Sequence, residues 1–142
     1  MPVRNAIAVW EGKLQSGKGK MKLGTGAYIG SYSFGSRFSD EIGTNPEELI
    51  GAAHAGCFSM ALSKLIEDKG FEPDQIQTTA DVTLEKKDEG FTITSIKLHT
   101  SGNIPDIDEK QFKELAEEAK KNCPVSRALT GVDISLEAKL NK

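Results

Sequence analysis

GTNPEELIGAAHAGCFSMALSKLIEDK, residues Gly43–Lys69, is the stretch of this sequence that decides the fold. Thr44 or Asn45 can cap the first free N–H groups of a helix, and Pro46 stands where a missing N–H is harmless. Apolar residues then occupy nearly every face of the pattern, and a helix that is apolar all round is a buried one. The sequence therefore predicts one long, buried helix, ended by Gly70.

Two glycines, Gly51 and Gly56, lie inside this predicted helix. Each costs roughly 1 kcal/mol relative to alanine in a helix interior, so we expect another backbone to pass close by. One small sheet would not cover a helix that is apolar on all sides. We therefore expect a homodimer in which the central helices of two copies pack through these glycines and the nearby alanines.

Length and charge limit the class of protein. The 142 residues suit a single domain, residues 1–142. A net charge of -3 without a block of like charge offers no electrostatic footprint for nucleic acid or for an anionic membrane. The N-terminus lacks an apolar core of signal-peptide length, and we expect no stretch to approach the ~20 apolar residues of a membrane span. These features predict a cytoplasmic domain with neither nucleic acid nor membrane as a partner.

Alternating and glycine-punctuated segments flank the helix and indicate strands. The predicted strands are Ala6–Glu11, a meander over Gly17–Gly30, a short strand or bulge over Ser31–Ser39, a hairpin of Gln75–Glu85 with Phe91–Thr100 carrying a bulge at Thr94 and Ser95, and Val132–Leu140. An amphipathic helix is predicted over Asp108–Asn122, with a further helical turn over Val125–Leu129. This order of elements predicts an α+β fold in which antiparallel sheet covers helices.

The chain has two cysteines, Cys57 and Cys123. By residue type alone, a free cysteine is more often a small buried hydrophobe than a reactive group. In a reducing cytoplasm a structural disulfide is disfavoured, which leaves a catalytic or redox-sensing pair as the alternative. Their positions favour that alternative, because Cys57 lies in mid-helix while Cys123 leaves the second helix just before Pro124, which restricts its backbone.

Arg37 stands among aromatic residues in SYSFGSRFS, a segment that we expect to be covered. A half-buried guanidinium needs a partner, and Glu47 or Glu48 at the start of the long helix can serve. Near a cysteine, such an arginine lowers the pKa of the thiol by favouring the thiolate. A purely structural ion pair is the competing interpretation.

Other chemistries have weak signals. His54 and Cys57 are three residues apart and could, with Cys123 and His99, complete a tetrahedral zinc site. No CxxC or HxxxH pair supports that site, SGKGK lacks the spacing of a phosphate-binding loop, and no GxSxG motif is present. We therefore predict neither a metal nor a prosthetic cofactor.

The run GTNPEELIGAAHAGCFSMALS, together with NCPVS and the opening WEG and SGKGK, closely resembles the OsmC/Ohr family, the osmotically inducible and organic hydroperoxide resistance proteins. The resemblance covers essentially the whole chain and is strongest to the OsmC branch. It implies an OsmC-like α+β fold, with antiparallel sheets wrapped around long central helices in an intertwined homodimer. It also implies a thiol peroxidase that reduces organic hydroperoxides to alcohols, hydrogen peroxide less well, and protects against oxidative stress.

The same resemblance implies roles for four residues. Cys57 matches the peroxidatic cysteine, and Cys123 matches the resolving cysteine. Arg37 matches the arginine that activates the thiolate and orients the peroxide, and Glu47 matches the carboxylate that positions this arginine. No prosthetic cofactor is implied, and the reductant would be an external dithiol or a lipoylated protein.

Two expectations concern what the protein binds. Apolar side chains near the reactive helix, Phe58 and Met60 among them, should favour organic over hydrogen peroxide, because each buried methylene contributes roughly 0.8 kcal/mol. The alternative is a non-catalytic dimeric module that binds a hydrophobic ligand and whose cysteines are structural.

Overall fold

The computed structural model describes every residue from Met1 to Lys142. The chain divides into two compact units, Met1–Leu49 and Ile50–Lys142. Strands and helices follow in the order β1 (Ala6–Glu11), β2 (Lys18–Leu23), β3 (Ile29–Tyr32), α1 (Phe34–Phe38), α2 (Pro46–Asp68), β4 (Gln75–Lys87), β5 (Gly90–Asn103), α3 (Glu109–Asn122), α4 (Pro124–Ala128) and β6 (Asp133–Leu140). This order confirms the predicted α+β class.

The first unit contains a three-stranded antiparallel meander in the order β1-β2-β3. Gly19 of β2 lies opposite both Trp10 and Tyr32, whose ring centroids are 5.4 Å apart. A Cβ atom at Gly19 would come within 2.5 Å of the Tyr32 ring and 2.7 Å of the Trp10 ring. Glycine therefore lets the two aromatic rings cover this strand.

The prediction of a strand or bulge over residues 31–39 was wrong for most of that segment, because Phe34–Phe38 forms the helix α1. Ser33 and Ser36 form a capping box, in which the backbone N–H of each donates to the hydroxyl of the other at 2.8 and 3.0 Å. Serine side chains bonded locally in this way compete with the hydrogen bonds of a strand. The aromatic pattern concealed this capping signal.

The second unit contains a mixed sheet in the order β4-β5-β6. The predicted hairpin is confirmed, since β4 and β5 pair antiparallel, and so is its bulge: Thr83 faces Ser95 and Leu84 faces Ile93, leaving Thr94 as the extra residue. The all-antiparallel expectation was wrong, because β6 pairs with β5 in parallel. Helices α3 and α4 carry the chain back across the sheet, and such a crossover joins parallel strands.

The start and end of α2 follow the sequence prediction. The side-chain oxygen of Asn45 accepts from the backbone N–H of Glu48 at 2.8 Å, so Asn45 supplies the cap. At the other end Gly70 adopts a φ of +90°, and the N–H of Phe71 donates to the carbonyl oxygen of Ile66 at 3.3 Å. A glycine in this left-handed conformation ends helices at no steric cost.

One face of α2 is buried. His54, Phe58, Leu62 and Ile66, four residues apart in turn, are each fully buried against the core of the second unit. The opposite face is open in the single chain, where Met60 is 76 % exposed. The sheet of one chain therefore covers a single face of α2, as the sequence predicts, and burial of the other face in a homodimer stays a prediction.

The two helix glycines differ. A Cβ at Gly51 would lie 3.3 Å from the carbonyl oxygen of Ala80 and from a methyl group of Val82, which confirms a close backbone. A Cβ at Gly56 would meet nothing within 4 Å. The expected close approach at Gly56 is thus not found within the chain.

By length and composition, α2 is long and apolar enough to cross a membrane. This corrects the expectation that no stretch would approach such a span. A core helix passes the same test, and the buried face of α2 packs in the core of its own chain.

Candidate active site

The structure brings the two cysteines together. Cys57 lies on α2 and is partly buried, whereas Cys123 is fully buried between α3 and α4. Both are free thiols, and the side chain of Cys123 lies close enough to that of Cys57 to raise its pKa. Two cysteines distant in sequence thus form one dithiol pair within the second unit.

Local backbone structure places Cys123 at the junction of two helices. Its N–H donates to the carbonyl oxygen of Ala119 at 2.9 Å, and its own carbonyl oxygen accepts from the N–H of Arg127 at 3.0 Å. Its φ and ψ of -55° and 125° are not helical, as expected for a residue before Pro124. Cys123 therefore lies between the two helices, after the end of α3 and directly before Pro124, the first residue of α4.

The surroundings of Cys57 in the second unit favour its neutral thiol. Burial raises the pKa of Cys57, and the hydrogen bond with Cys123 raises this pKa further. The backbone N–H of Val125, in the first turn of α4, bonds to the same sulfur and lowers the pKa. Burial is the largest of these effects, so these contacts alone do not make Cys57 a good nucleophile.

The first unit contains the charged pair. Arg37 of α1 donates to both carboxylate oxygens of Glu47, from Nε at 2.9 Å and from Nη2 at 2.8 Å. The side chain of Arg37 is 35 % exposed and that of Glu47 is 10 % exposed. Glu48 instead accepts from the hydroxyl of Thr44 at 2.7 Å. Of the two predicted partners, Glu47 is thus the one that holds Arg37, in the bidentate geometry typical of strong arginine–carboxylate pairs.

The four predicted site residues therefore form two pairs, one in each compact unit. The pairing of Arg37 with a glutamate at the start of α2 is confirmed. Their roles in a reaction stay predictions.

Sequence reasoning missed a second polar contact in the dithiol region. Nε2 of His54 lies 2.7 Å from the hydroxyl oxygen of Ser126, and both side chains are buried. Burial lowers the pKa of His54, which keeps the ring neutral, and its Nδ1 has no hydrogen-bond partner. A signal was present, because His54 precedes Cys57 by three residues and Ser126 follows Cys123 by three.

The two histidines do not assemble the zinc set considered from the sequence. His54 is bonded to Ser126, while the ring nitrogens of His99 lie 3.0 Å from Asp81 and 2.8 Å from Glu137 on the partly exposed surface of the sheet.

The two residues expected to form apolar walls of the reactive site differ in burial. Phe58 is fully buried in the core, and Met60 projects from the open face of α2. A large cavity of about 680 Å³ lies against β4, β5, β6 and α3, and its lining includes neither cysteine. That Phe58 and Met60 line the reactive site stays a prediction.

An α+β scaffold that joins a helical thiol to a buried second thiol defines a protein of the thiol-redox class. The OsmC-like protein family matches residues 38–137, and the chain belongs to this family. This match confirms the resemblance to the OsmC/Ohr family that the sequence motifs indicate.

Individual relatives agree with the family. The chain is 48% identical over 134 residues to peroxiredoxin OsmC of Escherichia coli (strain K12), covering 94% of this chain and 93% of that protein. It is 36% identical over 101 residues to the organic hydroperoxide resistance protein OhrB of Bacillus subtilis (strain 168), covering 70% and 72%. The crystal structure of Bacillus subtilis OhrB matches with a TM-score of 0.72 at 29% identity, over 95% of this chain and 98% of that one. The OsmC/Ohr fold is therefore confirmed.

Proposed function

We propose that this chain is a thiol-dependent peroxidase that reduces organic hydroperoxides to alcohols, and hydrogen peroxide less well, in protection against oxidative stress. The observation that carries this proposal is the neighbouring pair of free thiols, Cys57 on α2 and the buried Cys123. The names of the relatives, peroxiredoxin and organic hydroperoxide resistance protein, support the same activity.

The reaction follows from thiol chemistry. The thiolate of Cys57 attacks the distal oxygen of the hydroperoxide, the O–O bond breaks, and the leaving alkoxide takes up a proton to give the alcohol. The sulfur of Cys123 then attacks the Cys57 sulfenic acid, forming a disulfide and releasing water. An external dithiol restores both thiols by exchange, and a lipoylated protein supplies this chemistry well. No prosthetic group takes part in these steps.

Arg37 supplies the charge that the thiol environment lacks. Burial favours the neutral thiol of Cys57, and a guanidinium beside the sulfur favours the thiolate. Glu47 holds Arg37 through two hydrogen bonds, which fixes the direction in which the guanidinium points. In this proposal Arg37 activates Cys57 and orients the peroxide, and Glu47 positions Arg37.

The preference for organic hydroperoxides is supported by the apolar surroundings of Cys57. Ile50, Ala61 and Leu65 of the same helix pack with Cys57 against the core. An alkyl group buried against such side chains gains roughly 0.8 kcal/mol per methylene, whereas hydrogen peroxide has no alkyl group to bury.

A homodimer is part of the proposal, with residues 1–142 acting as one domain in the cytoplasm. The open face of α2 presents Ala52, Ala53, Gly56 and Met60, and small residues allow two helices to approach closely. Light scattering should give twice the chain mass of 15.4 kDa. Neither nucleic acid nor a membrane has a place in this function.

Counting thiols tests the function. Wild-type protein treated with one equivalent of cumene hydroperoxide should lose both thiols of each chain and gain an intramolecular disulfide, with one cumyl alcohol released. Hydrogen peroxide should give the same product more slowly. If no thiol is lost, the alternative of a non-catalytic module with structural cysteines is correct.

A further inference from the structure

The bond between His54 and Ser126 joins the same two segments as the thiol pair. His54 lies three residues before Cys57 on α2, and Ser126 lies three residues after Cys123 in α4. Residues three apart in a helix are neighbours on one face. The bond between His54 and Ser126 therefore lies about one helical turn from the two sulfur atoms, along α2 and along α4 alike.

Packing alone is a poor explanation for this histidine. His54 is fully buried, neutral, and leaves Nδ1 without a partner, although buried polar atoms in proteins nearly always have one. An apolar side chain would fill the same space without an unsatisfied atom. The bond to Ser126 is the interaction that such a side chain would lose.

Disulfide formation places a strict demand on α4. The two sulfur atoms must approach to about 2.05 Å with a narrow range of dihedral angle. Cys123 begins α4, a helix of only 5 residues that is also bonded to α3 through the N–H of Cys123. Apart from the thiols, the polar interactions between α4 and α2 include that of the Val125 N–H with Cys57 and the side-chain bond between His54 and Ser126.

We propose that His54 and Ser126 are positioning residues for the resolving step of the peroxidase reaction. Their hydrogen bond holds α4 against α2 while Cys57 is a sulfenic acid, so that Cys123 stays within reach. In that step the sulfur of Cys123 bonds to the sulfur of Cys57, the S–O bond breaks, and the hydroxyl leaves with the thiol proton of Cys123 as water. The inference rests on the proposed function, because it concerns the second half of that reaction.

A slower resolving step has a chemical signature. Sulfenic acid that waits for Cys123 is exposed to a second peroxide, which converts it to sulfinic acid. Loss of the His54–Ser126 bond should therefore raise the yield of sulfinic acid on Cys57 without changing the first oxidation.

Ser126→Ala tests the inference, and Ser59→Ala is its matched control. Ser59 is a partly buried serine, two residues after Cys57 on α2, and its hydroxyl, like that of the buried Ser126, is hydrogen-bonded: it lies 2.8 Å from the hydroxyl of Thr78. Rapid quenching after one equivalent of cumene hydroperoxide, with mass spectrometry, separates sulfenic acid formation from disulfide formation. We expect Ser126→Ala to slow disulfide formation about five- to tenfold, the effect of one net hydrogen bond, and to leave sulfenic acid formation unchanged. Ser59→Ala should match wild type in both steps.

Further variants make the outcome decisive. Ser126→Thr keeps the hydroxyl and should restore most of the rate. His54→Leu should slow the same step, and the double variant should be no slower than the singles because one bond is lost in all three. A wild-type rate of disulfide formation in Ser126→Ala, or equal slowing in Ser59→Ala, overturns the inference. Failure of the proposed function is distinct, since wild-type protein would then form neither sulfenic acid nor disulfide.

Discussion

The charged pair and the thiol pair occupy environments of opposite character. Arg37 and Glu47 lie in the first unit, with the guanidinium about one third exposed and both charges paired. Cys57 and Cys123 lie in the second unit, where burial raises the pKa of the Cys57 thiol. The first pair has charge without a nucleophile, and the second has a nucleophile without a cation. Peroxide reduction as proposed requires both, so variants of each pair should fail in different ways.

The largest effect should come from the thiol pair, at Cys57. Cys57→Ser removes the nucleophile while replacing one sulfur by oxygen, so the fold should be kept. We expect consumption of organic hydroperoxide to fall to the rate without protein. A dithiol-coupled peroxide assay measures this rate, and circular dichroism checks the fold. Turnover like that of wild type would end the peroxidatic assignment.

Cys123→Ser should separate the two thiols of the pair. The first oxidation of Cys57 needs no second thiol, so one turnover should proceed and the protein should then stop as a sulfenic or over-oxidised species. Mass spectrometry should find one or more added oxygens on Cys57 and no disulfide. Sustained cycling with a dithiol reductant would contradict the resolving role.

Arg37→Met tests whether the charged pair serves the thiol pair. An opposite charge near a thiol lowers its pKa by about 1–3 units, so we expect the pKa of Cys57 to rise and the rate at neutral pH to fall about 10- to 100-fold. Thiolate absorbance against pH measures the pKa. Arg37→Met also leaves the Glu47 carboxylate without its partner. The double variant Arg37→Met/Glu47→Gln, which removes both charges, should therefore be measured as well.

A matched control exists for the loss of a cation. Lys97 lies 3.6 Å from Glu137 in an exposed ion pair on the second unit, and Lys97→Met should leave both the pKa and the rate unchanged. If Arg37→Met behaves like Lys97→Met, Arg37 is only a structural ion pair.

Glu47→Gln should have a smaller effect, because Arg37 keeps its charge and loses its fixed direction. We expect the rate to fall by about tenfold, within the range for a misplaced catalytic group, with a smaller rise in the pKa of Cys57 than Arg37→Met causes. Stopped-flow rates and the same absorbance titration give both quantities. A pKa change as large as that of Arg37→Met would mean that Glu47 controls the charge as well as its position.

The smallest expected effect is on the pH dependence of stability, and it comes from His54, which is buried in the same unit as the thiol pair. Burial lowers the pKa of His54 in the folded chain, so the unfolded chain takes up this proton at a higher pH. The free energy of unfolding should therefore be greatest above pH 6.5, the ordinary pKa of histidine, and should decrease as the pH falls below it. Denaturant unfolding of wild type and His54→Leu measures the difference. An identical pH dependence below pH 6.5 in the two proteins would contradict a buried, neutral His54.

Local sequence determined the elements whose signals lie within a few residues. The cap at Asn45, the stop at Gly70 and the hairpin bulge at Thr94 were predictable because capping and alternation are short-range effects. The four site residues could be chosen from side-chain chemistry and from motifs, and the partner of Arg37 was one of two adjacent glutamates.

Tertiary structure decided what depends on residues far apart in sequence. The parallel pairing of β6 is set by the crossover through α3 and α4, and the open face of α2 is set by how much surface one sheet can cover. The bond of His54 to Ser126 joins residues 72 positions apart, and the spacing of each from its neighbouring cysteine indicates this partner only once the two cysteines are known to meet. Side-chain types specify which chemistry is available, but burial and long-range packing decide which groups meet and in which protonation state.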